Sequence, residues 1–163
     1  ADSKTSHGKD SSATKKRLSV RARKGSISTR LQNRMKALSW RGKYTMAEYY
    51  PAEIMGKSFR ILQNPCGERK GLGTGSTVWD GGQILMKFIE HRYKENGLQG
   101  KSVIDLGSGT GIVGLAAAML GAERVVLTDQ KQVLHITREN VVSCAKEVGD
   151  SSIQKRVSVS EYD

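Results

Sequence analysis

Two aspartates and three alternating glycines stand out in this sequence as candidates for holding a ligand. Asp105 precedes Gly107, Gly109 and Gly111 in the run Val103-Ile-Asp-Leu-Gly-Ser-Gly-Thr-Gly-Ile-Val-Gly-Leu115, and Asp129 follows twenty-four residues after Asp105. A glycine turn leading from a strand into a helix lets backbone amides face a ligand at the helix N-terminus. Glycine is needed there because φ turns positive or because ligand and backbone approach closely. The spacing is G-x-G-x-G, not the dinucleotide pattern G-x-G-x-x-G, since Ile112 follows Gly111 and Gly114 falls inside the helix. No lysine follows the loop, so it is not a triphosphate-binding P-loop.

The acids narrow the ligand further. Asp105 would repel a pyrophosphate but suits a cation or a network that holds an amino group. Asp129, ending a second strand, is placed to accept both hydroxyls of a ribose, as the acid of a nucleotide-binding unit does. Adenosine at one end and a sulfonium amino-acid tail at the other describe S-adenosylmethionine, which is the cofactor this pattern predicts. Glycines also serve tight packing, and a strand-end aspartate often only caps a helix. The coincidence of apolar strand, acid, glycine loop and second strand ending in acid favours the ligand reading for Asp105, Gly107, Gly109 and Asp129. For Ser108 and Thr110, capping and ligand contact are equally open.

These residues need a scaffold, and the surrounding rhythm supplies one. Ser102–Leu106 reads as a short apolar strand, Thr110–Leu120 as a helix closed by Gly121, and Arg124–Asp129 as a second buried-type strand. Gln130 to about Val148 reads as a second helix and Gln154–Ser160 as a third strand. Strands alternating with helices imply an α/β fold with a parallel, doubly wound sheet. Upstream, residues 46–78 read as an extended arm containing a strand at Ser58–Gln63, a turn at Asn64-Pro-Cys-Gly67 and a loop at Gly71-Leu-Gly-Thr-Gly75. A helix follows in Val78–Glu90, with Asp80 placed to cap it and Ile84, Leu85, Phe88 and Ile89 on one face.

Charge separates the chain into two parts. Residues 1–45 carry thirteen of the 27 Lys and Arg against Asp2 and Asp10, whereas residues 46–163 carry fourteen basic and fourteen acidic residues. The net charge of +11 thus belongs to the tail. Residues 1–26 are too poor in large apolar side chains to offset their ordering entropy and are expected to be disordered. Ser19 and Ser26 follow basic clusters, as substrates of basophilic kinases do, although a solvated tail rich in both residue types explains them as well. Ile27, Leu31, Met35 and Leu38 predict an amphipathic helix within 27–40, capped by Ser28. Such a basic segment suits an acidic protein partner or RNA, and its Arg- and Ser-rich character also fits an organelle-targeting segment. Cys66 and Cys144 form no disulfide framework or metal pattern, and His7, His91 and His135 are scattered, so no metal site is predicted. His135 reads as a surface or packing residue, and Glu139 and Asn140 as solvated. No apolar run is long enough to span a bilayer. A cytoplasmic protein is expected, with nucleus or organelle as alternatives.

Ser102-Val-Ile-Asp-Leu-Gly-Ser-Gly-Thr-Gly-Ile-Val-Gly-Leu115, with Thr77-Val-Trp-Asp-Gly-Gly82 upstream and Val125-Val-Leu-Thr-Asp129 downstream, resembles the eukaryotic seven-β-strand protein-lysine methyltransferases. That group modifies heat-shock chaperones, valosin-containing protein and translation elongation factors. The resemblance runs from about Phe59 to Asp163. It implies a Rossmann-like fold, methylation of a lysine on a protein such as a chaperone or translation factor, and cofactor contacts by Trp79, Gly107–Gly109 and Asp129. The sequence by itself favours Trp79 as a core anchor between helix and sheet; only the resemblance makes it a cofactor contact. No catalytic residue is identifiable. The expected organisation is a basic tail at 1–45, an arm and helix at 46–100, and the first half of a cofactor-binding domain at 101–163, with about three strands of the sheet. A 163-residue chain of this kind is expected to be inactive alone. Two other readings stay open: a non-catalytic subunit of a larger assembly, and an RNA or small-molecule methyltransferase.

Overall fold

The computed structural model describes residues 44, 46–67 and 71–162, and the readings of the basic tail lie outside the described residues. The first described element is a hairpin. β1 (Tyr49–Ile54) pairs antiparallel with β2 (Lys57–Leu62), bringing Ile54 opposite Lys57. Two residues, Met55 and Gly56, close it at φ 52° and 72°. Positive φ at both turn positions matches the right-handed twist of the flanking strands. The Met55 N–H donates to Glu90 Oε1 at 2.7 Å, anchoring the turn to the helix that follows. Alternation then places Ala52, Ile54, Phe59 and Ile61 inside. β2 agrees with the strand expected at Ser58–Gln63, whereas β1 lies in what the sequence suggested was only an extended arm.

After a single 3₁₀ turn at Thr74–Ser76 come α1 (Asp80–Tyr93), β3 (Ser102–Leu106), α2 (Ile112–Met119), β4 (Arg124–Asp129), α3 (Leu134–Glu147), a one-turn α4 (Ser152–Arg156) and β5 (Val157–Glu161). β3, β4 and β5 form a parallel sheet in that order, with Asp105 level with Leu127 and Asp129 level with Glu161. The α/β class and the first two strands of this sheet are therefore as expected. The third strand is shifted: Gln154–Arg156 belong to α4, because Asp150 takes the N–H and hydroxyl of Ser152 and starts a helical turn there. Helices α2 and α3 also start later than predicted, at Ile112 and Leu134. α2 ends as predicted at Gly121, whose N–H donates to Ala118 O while Ala122 N–H donates to Ala117 O. Arg156 Nη1 adds bonds of 2.7 Å to the carbonyls of Ala118 and Ala122, pinning that end against α4.

The core lies on one face of the sheet, where Val125, Leu127 and Val157 meet Leu115, Ala116, Ala118, Val141 and Cys144. Gly114 lets α2 settle onto β4, since a Cβ there would collide with the Leu127 side chain and crowd Val125. The opposite face exposes Ile104 (65%) and Leu106 (67%) of the edge strand β3. α1 departs from its predicted orientation. Its buried side holds Met86, with Gly82 close to Ile112 and Ile89, of the predicted face, packed against the core, whereas Ile84, Leu85 and Phe88 are exposed. Asp80 is not a side-chain cap either. Trp79 occupies the N-cap position without a side-chain cap bond, and Asp80 is the helix's first residue, favourable only through the helix dipole. Among the described residues no helix is long and apolar enough to cross a membrane, and no cluster of three or more His, Cys, Asp or Glu could hold a metal ion.

Candidate functional site

The site forms where β3 and β4 end side by side. Parallel pairing carries their C-terminal ends to the same edge, so the turn into α2 and the turn into α3 emerge together. Gly107, Gly109 and Gly111 all take positive φ, of 66°, 55° and 85°. Ser108 N–H continues the sheet ladder to Thr128 O at 2.8 Å, and Gly111 N–H closes a turn onto Ser108 O at 2.8 Å.

Asp129 is stitched to this loop. Its Oδ2 accepts the Gly109 N–H at 2.7 Å, and its Oδ1 accepts its neighbour's N–H, that of Gln130, at 2.7 Å. Asp105 plays a different part. Its Oδ2 accepts the Gly114 N–H at 2.9 Å, so the carboxylate caps the first turn of α2 from the neighbouring strand. Burial pushes the Asp105 carboxyl above the usual carboxylate range; the Gly114 N–H opposes the shift and the charge of Asp129 adds to it. The two acids thus share one electrostatic environment. Ser108 Oγ is buried there without a hydrogen-bond partner among the described residues.

A second glycine loop closes over the first. A Cβ on Gly109 would lie 2.8 Å from Gly75 O, and one on Gly75 would lie 3.4 Å from Asp129 Oδ2. Any side chain at Gly109 would therefore force the loops apart. Trp79 stands just beyond, its indole N–H donating to Thr74 O at 2.7 Å, and the residue is 38% exposed. That exposure contradicts the core-anchor reading. The indole is fixed on the turn that carries Gly75. Asp105, Ser108, Gly109 and Asp129 are thus brought together, with Trp79 at the periphery through Thr74 and Gly75.

Three supporting residues were not recognised in the sequence. Asn140, expected to be solvated, is fully buried; its Nδ2 donates to Thr110 O and Leu62 O, and its Oδ1 accepts the Leu62 N–H. Thr137 Oγ1 donates to Gly109 O at 2.7 Å. Gln63 orders the segment before the site, accepting the Val78 N–H and donating to the carbonyls of Tyr44 and Ala47. The signal for the first two was available: Val133, Thr137, Asn140, Val141 and Cys144 share a helical stripe that is buried along its length. His135 and Glu139 are exposed, as expected. A cleft of about 550 Å³ lies elsewhere, between the hairpin and α1 near Phe59, Met86 and Lys87, and contains none of the site residues.

With this geometry in view, relatives are informative. A zebrafish (Danio rerio) protein named Protein N-lysine methyltransferase METTL21A is 42% identical over 92 residues, covering 56% of this chain and 39% of its own. A Xenopus tropicalis protein named EEF1A lysine methyltransferase 3 is 36% identical over 98 residues, covering 60% of this chain and 40% of its own. The chain therefore spans about two-fifths of the length of these curated relatives. A solved structure from Streptococcus mutans, described as a putative SAM-dependent methyltransferase, superposes with a TM-score of 0.46 at 24% identity, over 71% of this chain and 27% of that one. The family profile described as "Lysine methyltransferase" matches residues 63–161, which include the Gly75 loop, Trp79, the glycine loop, Asp129 and both helices that brace them. The chain belongs to the lysine methyltransferase family.

Proposed function

We propose that the protein of which this chain is part transfers a methyl group from S-adenosylmethionine to a lysine side chain of a protein. The observation that carries the reading is the Asp129 carboxylate, fixed at 2.7 Å from Gly109 N at the mouth of a family-matched glycine loop. An ionised carboxylate offers about four acceptor positions. Asp129 commits two to backbone amides, which orient it, and keeps two for a ribose diol. The buried, unpartnered Ser108 Oγ is a second point of fit, because a buried hydroxyl without a partner is rare unless a ligand or water completes it.

In this reading Asp129 holds the ribose, the Gly107–Gly109 backbone and Ser108 line the amino-acid tail, and Trp79 forms an outer wall. Asp105 shapes the loop through α2 and adds negative potential near the tail's ammonium. When bound, the cofactor supplies an electrophilic methyl group for in-line transfer to an amine. The protein's share of the work is positioning and exclusion of water, and delivery of the acceptor amine in its neutral form. The names of the relatives support a protein acceptor, with a translation factor as one candidate class. The seven-strand sheet and the cytoplasmic setting belong to the same reading.

Incubating the intact protein with labelled cofactor and cell extract tests it. Label is expected on a protein band, resistant to nuclease and located on lysine by mass spectrometry. Label that survives protease and disappears with nuclease would refute the lysine assignment. Failure of the intact protein to bind the cofactor would leave only the alternative, a non-catalytic subunit of a larger assembly.

A further inference from the structure

The glycine loop is gripped on its carbonyl side by α3. Gly109 O accepts from Thr137 Oγ1 at 2.7 Å, and Thr110 O accepts from Asn140 Nδ2 at 3.0 Å. Both side chains are fully buried. Thr137 has a second acceptor within reach, Val133 O at 3.5 Å, but the shorter bond goes to the loop. Asn140 spends its remaining capacity on one residue of the hairpin. Its Oδ1 accepts the Leu62 N–H at 2.7 Å and its Nδ2 donates to Leu62 O at 3.0 Å. One amide thus joins β2, the loop and α3.

A leucine or alanine at this position would fill a helix face without the cost of burying an amide. Packing alone therefore does not account for Asn140. The loop itself shows what the amide can do. Glycines at φ 55° and 85° flank Thr110, and glycine permits the adjoining peptide planes to rotate. A rotated plane would turn a carbonyl towards a ligand that needs N–H groups. Thr137 and Asn140 hold the two carbonyls in question, while Asp129 holds the Gly109 N–H from the strand side.

We infer that Thr137 and Asn140 are positioning residues for the cofactor loop. They pin the Gly109 and Thr110 carbonyls into α3 and so fix the peptide planes that present the loop to its ligand. The inference rests on the cofactor reading above, and the test separates the two.

S-adenosylhomocysteine is titrated calorimetrically into the intact protein and its variants, alongside thermal unfolding of each. Thr137→Val keeps the side-chain shape and removes only the hydroxyl. Its affinity for the probe is expected to fall about tenfold, with Thr137→Ser restoring it. Asn140→Ala is expected to lose more and to lower the melting temperature as well. If Thr137→Val binds the probe as the parent does, whatever its melting temperature, the positioning role is overturned and the threonine is merely a packing residue. Should Asn140→Ala fail to fold, the Thr137 pair still decides the outcome. No binding by the unsubstituted protein would remove the cofactor reading, and this inference with it.

Discussion

Asp129 Oδ2 and the amide nitrogen of Gly109 lie 2.7 Å apart, so the acid at the end of β4 is part of the loop's own hydrogen-bonding pattern. An acid that shapes a loop and, under the proposed function, also holds the cofactor ribose would have two costs of removal. Asp129→Ala is expected to destabilise the fold by about 1–3 kcal/mol, because a partly buried amide loses a charged acceptor. It should also weaken S-adenosylhomocysteine binding by a similar amount. Urea unfolding reads the first effect and calorimetric titration the second. Lost stability with unchanged affinity would mean that the carboxylate serves only the loop.

Asp105 differs because its carboxyl is raised, first by burial and further by Asp129, against the pull of the Gly114 N–H. A folded-state pKa above the unfolded value means that the folded chain keeps the proton to higher pH. Stability from this group is full at low pH and declines as pH rises from the ordinary carboxylate value through the raised one. Asp105→Asn is neutral throughout and retains an oxygen for Gly114. The variant is expected to lose that declining limb and to be at least as stable as the parent at neutral pH. It should bind the cofactor's cationic tail about tenfold less well, through the lost charge. Urea midpoints across the acid-to-neutral range check the first expectation. An unchanged slope would assign the titration to another group.

How much of this was legible beforehand varied with the physical signal. Ser102–Leu106 and Arg124–Asp129 could be read to the residue, since strands of a parallel sheet are apolar runs bounded by turns. β1 escaped because Pro51 interrupts it and its outward positions are Tyr49, Pro51 and Glu53; only its pairing with β2 makes it a strand. The α1 face differs from the expectation because glycine carries no hydropathy signal, yet a Cβ on Gly82 would lie 3.7 Å from Ile112 Cγ2 of α2. The spacing of Asp129 and the glycines was enough to place them together at the ends of β3 and β4. Asn140 and Thr137 are marked only by the helical stripe they share with Val133, Val141 and Cys144, and that mark is weak because a polar residue on a helix is ordinarily solvated. Only the distant partners Leu62, Gly109 and Thr110 give these two a reason to be inside.

The two cysteines should report the fold directly. Burial pushes the Cys144 thiol up to about 12, with Glu147 and Asp150 adding to the shift, whereas Cys66 is exposed. Alkylation depends on the thiolate and on access. Iodoacetamide at mildly alkaline pH is expected to modify Cys66 in the native protein and to reach Cys144 only after unfolding. Rapid modification of both, mapped by peptide mass spectrometry, would show that α3 does not seat Cys144 in the core.

Glu147, at the last residue of α3, tests the other end of the brace. Its Oε2 accepts the Arg60 backbone N–H at 2.7 Å, and its Oε1 accepts Arg60 Nε at 3.1 Å and Nη2 at 2.9 Å. Partial burial would raise the carboxyl, but the Arg60 side chain, its backbone N–H and its charge together hold it below the usual value. A lowered folded-state pKa gives stability that is present above the unfolded value and lost as pH falls through the folded one. Glu147→Gln should therefore flatten the acid limb of the stability profile. Arg60→Ala leaves the backbone bond in place, and its side chain is 63% exposed, so it should cost less than Glu147→Ala, which removes all three bonds. Because Arg60 and Leu62 lie on the same strand, loosening the first should also raise hydrogen exchange at the Leu62 amide that Asn140 holds. Unchanged exchange at Leu62 in Glu147→Ala would mean that the two attachments of β2 to α3 act independently.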